Sequence, residues 1–248
     1  MWFLVIIASS ALAAAHMLPV GFLLDLMEPD TAVWSMPDDG PPRVYLTFDD
    51  GPNPKTTPDL LDVLADEQVH ATFFLIDEHI TDATAPIVQR MFEEGHAIGL
   101  HSSSRSYMFL SSTELADRLV ASADRIERLA GSRPCRAFRP HAGWRGSEMF
   151  EALERIDYRL YGWGWMLWDW NWAKDRTAAA TFDRIAERAG AGDIIVMHDG
   201  DESAPDVDQR HTVEATARLI PALRARGLEF ETVCQNEEGR GEAARAAG

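Results

Sequence analysis

The chain has 248 residues, of which 46% are hydrophobic and 25% charged. That composition excludes a disordered or collagen-like chain and leaves one or two globular domains. A formal net charge of −17 repels a phosphate backbone, so nucleic acid is excluded as an expected partner.

Residues 2–24 carry no formal charge and read WFLVIIASSALAAAHMLPVGFLL. At about 1.5 Å per residue the run is long enough to cross a hydrocarbon core of about 30 Å as a helix. It reads as an uncleaved anchor, as a cleaved signal with Ala11, Ala13 and Ala15 around the cut, or as a helix packed on the domain. The first basic residue is Arg43, so the positive-inside rule gives no orientation. Expected boundaries are an apolar segment at 1–26, a linker at 27–42, a folded domain at 43–235 and a disordered tail at 236–248.

Within the domain, strand-like and helix-like runs alternate. Strands are expected at 44–48, 71–76, 96–101 and 137–139, then one or two in the Trp-rich stretch to 168, then at 193–198 and 228–233. Helices are expected at 57–68, 84–94, 112–130, 147–156, 178–189 and 209–226. The 112–130 helix opens with Ser-Ser-Thr-Glu and has Gly131 behind it, which are start and stop signals. Strands that alternate with helices imply parallel βα units. The expected fold is α/β, a distorted (β/α)-barrel of about seven parallel strands. Cys135 precedes one strand and Cys234 follows another, which in a parallel barrel puts them at opposite ends, so no disulfide is expected.

Polar residues at the carboxyl ends of strands are the usual site in α/β folds. Here those ends carry Asp49 and Asp50; His101 to Arg105; Arg139 to Gly143; Asp169 to Trp172; and His198 with Asp199. Adjacent carboxylates repel unless a cation sits nearby, and they divide naturally into a metal ligand and a base. His101 has a lone pair to give to the same ion. Arg139 can fix a carboxylate through a bidentate pair, and His198 can carry a proton as general acid. A metal-bound water, a base and an opposed acid describe a hydrolase of a carbonyl derivative.

In order, TFDDGPNP, HSSSR, FRPHAG, WDWNW and IIVMHD resemble the polysaccharide deacetylase family over residues 43 to 234. The resemblance implies metal-assisted hydrolysis of N-acetyl groups on amino-sugar units of a glycan, chitin-like or peptidoglycan, in the cell envelope, by an anchored or secreted enzyme. It implies Asp49 as base and Asp50 and His101 as ligands of a divalent metal, Zn or similar. It also implies Arg139 as the clamp on the base, His198 as acid, and Asp169 (or Asn171) as the family's further aspartate. Ala142 matches the oxyanion-hole backbone, Ile195 and Val196 the acetyl wall, and Trp172 the pocket tryptophan.

The sequence departs from the family where a second metal histidine is expected four residues after His101. Arg105 stands there, and an arginine has no lone pair to give. His141 replaces a residue that is usually proline. Three readings stay open at this point. A metal is held by Asp50, His101 and waters or a substitute such as His141. Or Arg105 replaces the metal. Or the chain is an inactive glycan-binding relative. A lipid-linked amino sugar is a further substrate reading. If a helical turn follows His101, the Arg105 guanidinium is expected beside Asp50, lowering its pKa and crowding the metal's volume.

Overall fold

The computed structural model describes residues 32–37, 40–164, 166–169 and 176–234. The apolar run at 2–24, the whole of the expected tail and Trp172 lie outside them. Among the described residues no helix is long and apolar enough to cross a membrane.

Eight strands form the sheet: β1 (Ala32–Val33), β2 (Arg43–Asp49), β3 (Thr72–Leu75), β4 (Ala97–His101), β5 (Ala137–Arg139), β6 (Arg159–Tyr161), β7 (Ile194–His198) and β8 (Glu229–Phe230). The order is β1-β6-β5-β4-β3-β2-β7, with β8 against the start of β2. Every paired strand runs parallel to its neighbour. The gap between the edge strands β1 and β7 is spanned by isolated bridges, Ser35 with Asp193 and Trp168 with Val196. That irregular closure is the distortion of the barrel.

Among the described residues six α-helices cover the outside: α1 (Thr57–Asp66), α2 (Ala85–Glu93), α3 (Ser112–Ala130), α4 (Ser147–Arg155), α5 (Ala178–Ile185) and α6 (Arg210–Ala225). In α3 the expected signals act as read. Ser111 and Glu114 form a reciprocal capping box, and Gly131 ends the helix at φ 81°, a conformation glycine adopts without a Cβ penalty.

Alternation along each strand separates two apolar layers. Val44, Leu46 and Phe48 of β2 join the large core under the helices. Tyr45 belongs with Phe74, Ala137, Tyr161, Ile194 and Val233 in a second cluster. Thr47 and Asp49 share the face of Tyr45, so the barrel interior is apolar at its base and polar at its carboxyl rim.

Two expectations are corrected. Part of the expected linker belongs to the fold: Ala32–Val33 pairs with β6, and Trp34 and Met36 are buried. Trp34 lies so close to Gly162 that a Cβ there would come within 2.0 Å of the indole ring. The linker reading missed this because the segment is short and flanked by Pro, Asp and Gly.

Cys135 and Cys234 are also disulfide-bonded, with Cα atoms 6.3 Å apart. β8 is only two residues long, and the chain then turns across the amino end of the barrel instead of rising along it. The Glu231 N–H donates to the Val44 carbonyl, and the Val233 N–H to Thr72 Oγ1 at the start of β3. Cys234 thereby reaches the end where Cys135 enters β5.

Candidate active site

Asp49 ends β2, and parallel register places it opposite His198 at the end of β7. His101 ends β4 opposite Arg139 at the end of β5. Four expected site residues therefore meet at one rim.

Arg139 is fully buried and crosses the barrel interior. Its Nη1 donates to Asp49 Oδ1 and to Thr47 Oγ1, both at 2.7 Å. Nε and Nη2 donate to the carbonyls of Tyr161 and Gly162, and the guanidinium lies 4.0 Å from the Phe74 ring centroid. The clamp is one nitrogen on one oxygen, not the expected bidentate pair, because the rest of the fork is spent on β6. Burial works against the Arg139 charge, and the Asp49 carboxylate opposes that.

His198 Nδ1 pairs with Asp169 Oδ1 at 2.7 Å, and the His198 N–H donates to Asp169 Oδ2 at 2.8 Å. Burial would lower the His198 pKa, but Asp169, with Asp50 and Asp49, lifts it to about 9. Asp169 itself is held low, because His198 outweighs the effect of its burial. The raised His198 pKa favours the folded state fully below pH 6.5, and this contribution is lost as pH rises through about 9. In the metal-free protein, Asp169→Asn is expected to bring that pKa down toward or below its ordinary 6.5. Imidazole proton NMR reads it, and an unmoved titration would remove Asp169 from the role.

Asp50 has φ 71°, a left-handed conformation that costs a non-glycine residue energy and clusters at functional sites. Its Oδ1 lies 3.2 Å from His101 Nε2. Burial pushes the Asp50 pKa up, but the His101 hydrogen bond and the fields of His101, His198 and His141 hold it well below the usual carboxylate range. Behind it, Asp199 is buried and accepts from the Thr57 hydroxyl. Burial, with Asp50 and Asp49, pushes the Asp199 pKa up to about 7. A Cβ on Gly51 would meet that carboxylate at 2.7 Å, so glycine is required there.

The Arg105 expectation is overturned. Ser104 is extended (φ −162°, ψ 163°), and the 3₁₀ turn Arg105–Phe109 begins only at Arg105 itself. Without a helical turn between them, His101 and Arg105 are not stacked neighbours. Arg105 is exposed and lines a cleft with Ser102, Tyr107, His141 and Trp144. The groups that lower Asp50 most are His101, His198 and His141.

Asp50, His101 and His141 instead each offer one ligand atom within 4.8 Å of the others. His141 Nδ1 is buried with no hydrogen-bond partner, an arrangement that costs about 1–3 kcal/mol when nothing satisfies it, and Asp50 Oδ1 faces His101 Nε2 at 3.2 Å. An ion about 2.0–2.1 Å from each donor separates neighbouring donors by about 3.3 Å in tetrahedral geometry, close to the Asp50–His101 edge. A carboxylate and two imidazoles therefore fit a divalent cation of the zinc type. Burial, with His101 and Arg105, lowers the His141 pKa against Glu202 and Asp50, which favours the neutral ring a metal needs.

Ile195 does not face the site. It packs in the core under the helices, because adjacent strand residues point to opposite faces. Val196 shares the face of His198 and is fully enclosed. Ala142 sits at the exposed turn after β5 with φ 54°. Sequence reasoning missed Thr47, although its place two residues before Asp49 was a usable signal. It also missed Glu202, which stands in an acidic loop after β7 that carries no periodic signal.

The polysaccharide deacetylase family model matches residues 37–161. A peptidoglycan-N-acetylglucosamine deacetylase of Bacillus cereus is 30% identical over 202 residues, covering 82% of this chain and 91% of that protein. A chitooligosaccharide deacetylase of Sinorhizobium fredii is 35% identical over 206 residues, covering 79% and 93%. Among solved structures, a family 4 acetyl xylan esterase from Clostridium thermocellum in complex with a cobalt ion superposes with a TM-score of 0.67 at 32% identity, covering 77% of this chain and 87% of that one. With the motifs at one barrel rim and near full-length relatives of this similarity, the chain belongs to the polysaccharide deacetylase family.

Proposed function

We propose that this protein hydrolyses N-acetyl groups from amino-sugar units of a cell-envelope or chitin-like glycan. The observation that carries the reading is the pairing of Asp49 and His198 in register, each held by its own buried counter-charge. Asp49 takes a proton from water as its oxygen attacks the acetyl carbon. The C–N bond then breaks, and His198 delivers its proton to the leaving amine through Nε2, its Nδ1 being engaged by Asp169. Arg139 keeps Asp49 oriented throughout. Asp50, His101 and His141 would hold a divalent ion, which supplies polarisation of the acetyl carbonyl and of the attacking water. The Ala142 backbone N–H is the candidate donor to the developing oxyanion, and Trp172 and Val196 are the candidates for the acetyl wall.

The disulfide supports an oxidising compartment, outside the cytosol, as do relatives named for peptidoglycan. The charge-free run at 2–24 would export or tether the domain. The test is acetate release from N-acetylglucosamine oligomers, peptidoglycan fragments and a lipid-linked N-acetyl amino sugar, with and without chelator. We expect release from at least one polymeric substrate, its loss on chelation and its return with added divalent metal. No release from any of them would leave a glycan-binding relative without catalysis.

A further inference from the structure

The third member of the donor cluster lies in the turn after β5, and a carboxylate stands behind it. The Ser102 hydroxyl accepts from the His141 backbone N–H at 2.7 Å, which ties the turn after β5 to the end of β4 and sets the His141 ring beside His101, with centroids 6.1 Å apart. His141 Nε2 lies 3.0 Å from Glu202 Oε2, so that nitrogen is occupied. Nδ1 is the other nitrogen of the ring; it is buried and has no hydrogen-bond partner. Glu202 lies in the loop between β7 and α6, is only partly buried, and is not part of the three-residue donor cluster.

We propose that Glu202 is a positioning residue for a relocated third metal ligand: it accepts the Nε2 proton of His141, fixes that tautomer and leaves the Nδ1 lone pair for the ion shared with Asp50 and His101. A ligating histidine that donates its other N–H to a carboxylate is both oriented and made more basic by it. The ligand thus comes from the loop after β5, held by the loop after β7, instead of from the position four residues after His101. The inference rests on the metal reading above and adds to it the source of the third donor and the group that sets it.

The experiment is Zn²⁺ binding to the chelator-stripped chain, read by competition with a chromophoric chelator, together with the visible spectrum of the Co²⁺ form. Glu202→Ala is expected to weaken Zn²⁺ about 10–100-fold, and Glu202→Gln less, because its amide oxygen still accepts from Nε2. His141→Ala is expected to weaken binding at least as much as Glu202→Ala, and Glu202→Ala is expected to add nothing on that background, since coupled groups are non-additive. Arg105→Ala is expected to leave affinity within about twofold. Thermal melts of the metal-free variants separate these effects from misfolding. No Zn²⁺ binding by the unaltered chain overturns the metal reading itself. Tight binding by the unaltered chain and equally by Glu202→Ala overturns this inference alone. Full affinity in His141→Ala, or an undiminished Glu202 effect on that background, overturns it as well.

Discussion

Asp49→Asn and His198→Ala are each expected to lower acetate release by about 10²–10⁴-fold, the range that a positioned acid or base contributes. Asparagine keeps an oxygen for the Arg139 Nη1 bond but has no carboxylate to take a proton. It also leaves the Arg139 guanidinium, fully buried, without its counter-charge, so some stability is lost along with activity. His198→Ala removes the proton donor and leaves Asp169 Oδ1 without its imidazole partner, while the backbone N–H of residue 198 still donates to Oδ2. Thermal melts alongside the assays separate chemistry from unfolding. A folded variant that keeps near full turnover would sink the acid/base assignment, and the two variants test its halves independently.

Replacing both cysteines by serine is expected to cost about 2–4 kcal/mol of stability, the usual range for a bridge that closes a long loop. The two residues are 99 apart in sequence, so an open chain has much more freedom to lose. The bridge also fastens the crossing segment at the amino end of the barrel, where Val233 is fully buried and its carbonyl accepts from the Tyr161 hydroxyl. Urea unfolding of the oxidised, reduced and Ser/Ser forms reads the effect. Equal midpoints for all three would show that burial of Val233 and its neighbours holds the segment without help.

The sequence made the main strands and helices legible because each has its own period and punctuation, as in α3, where cap, capping partner and terminal glycine are all local. Asp49, His101, Arg139 and His198 were legible for a similar reason, since each ends a recognisable strand. What failed was everything set by distant packing. β8 was expected to run to residue 233, but only two residues pair, and its turn across the barrel base brings the cysteines together. Arg105 was placed by assuming a helical turn, whereas residue 104 is extended. Ile195 was carried over by likeness, although period-two alternation from His198 already assigned it to the other face. Glu202 had no sequence signature at all, since a partly exposed acidic loop looks the same with or without a histidine beneath it.

The register of β2 with β7 also bears on how the protein is made. β2 lies between β3 and β7, so during synthesis the strand carrying Asp49 gains one neighbour early and waits for the other until residue 194 has left the ribosome. A nascent chain stopped before that point holds Asp49, Arg139 and the Asp50, His101 and His141 cluster, yet lacks His198 and shows an open, hydrogen-bond-hungry strand edge to other chains. His198 and the second long neighbour of β2 are therefore supplied together, by one strand made late in translation.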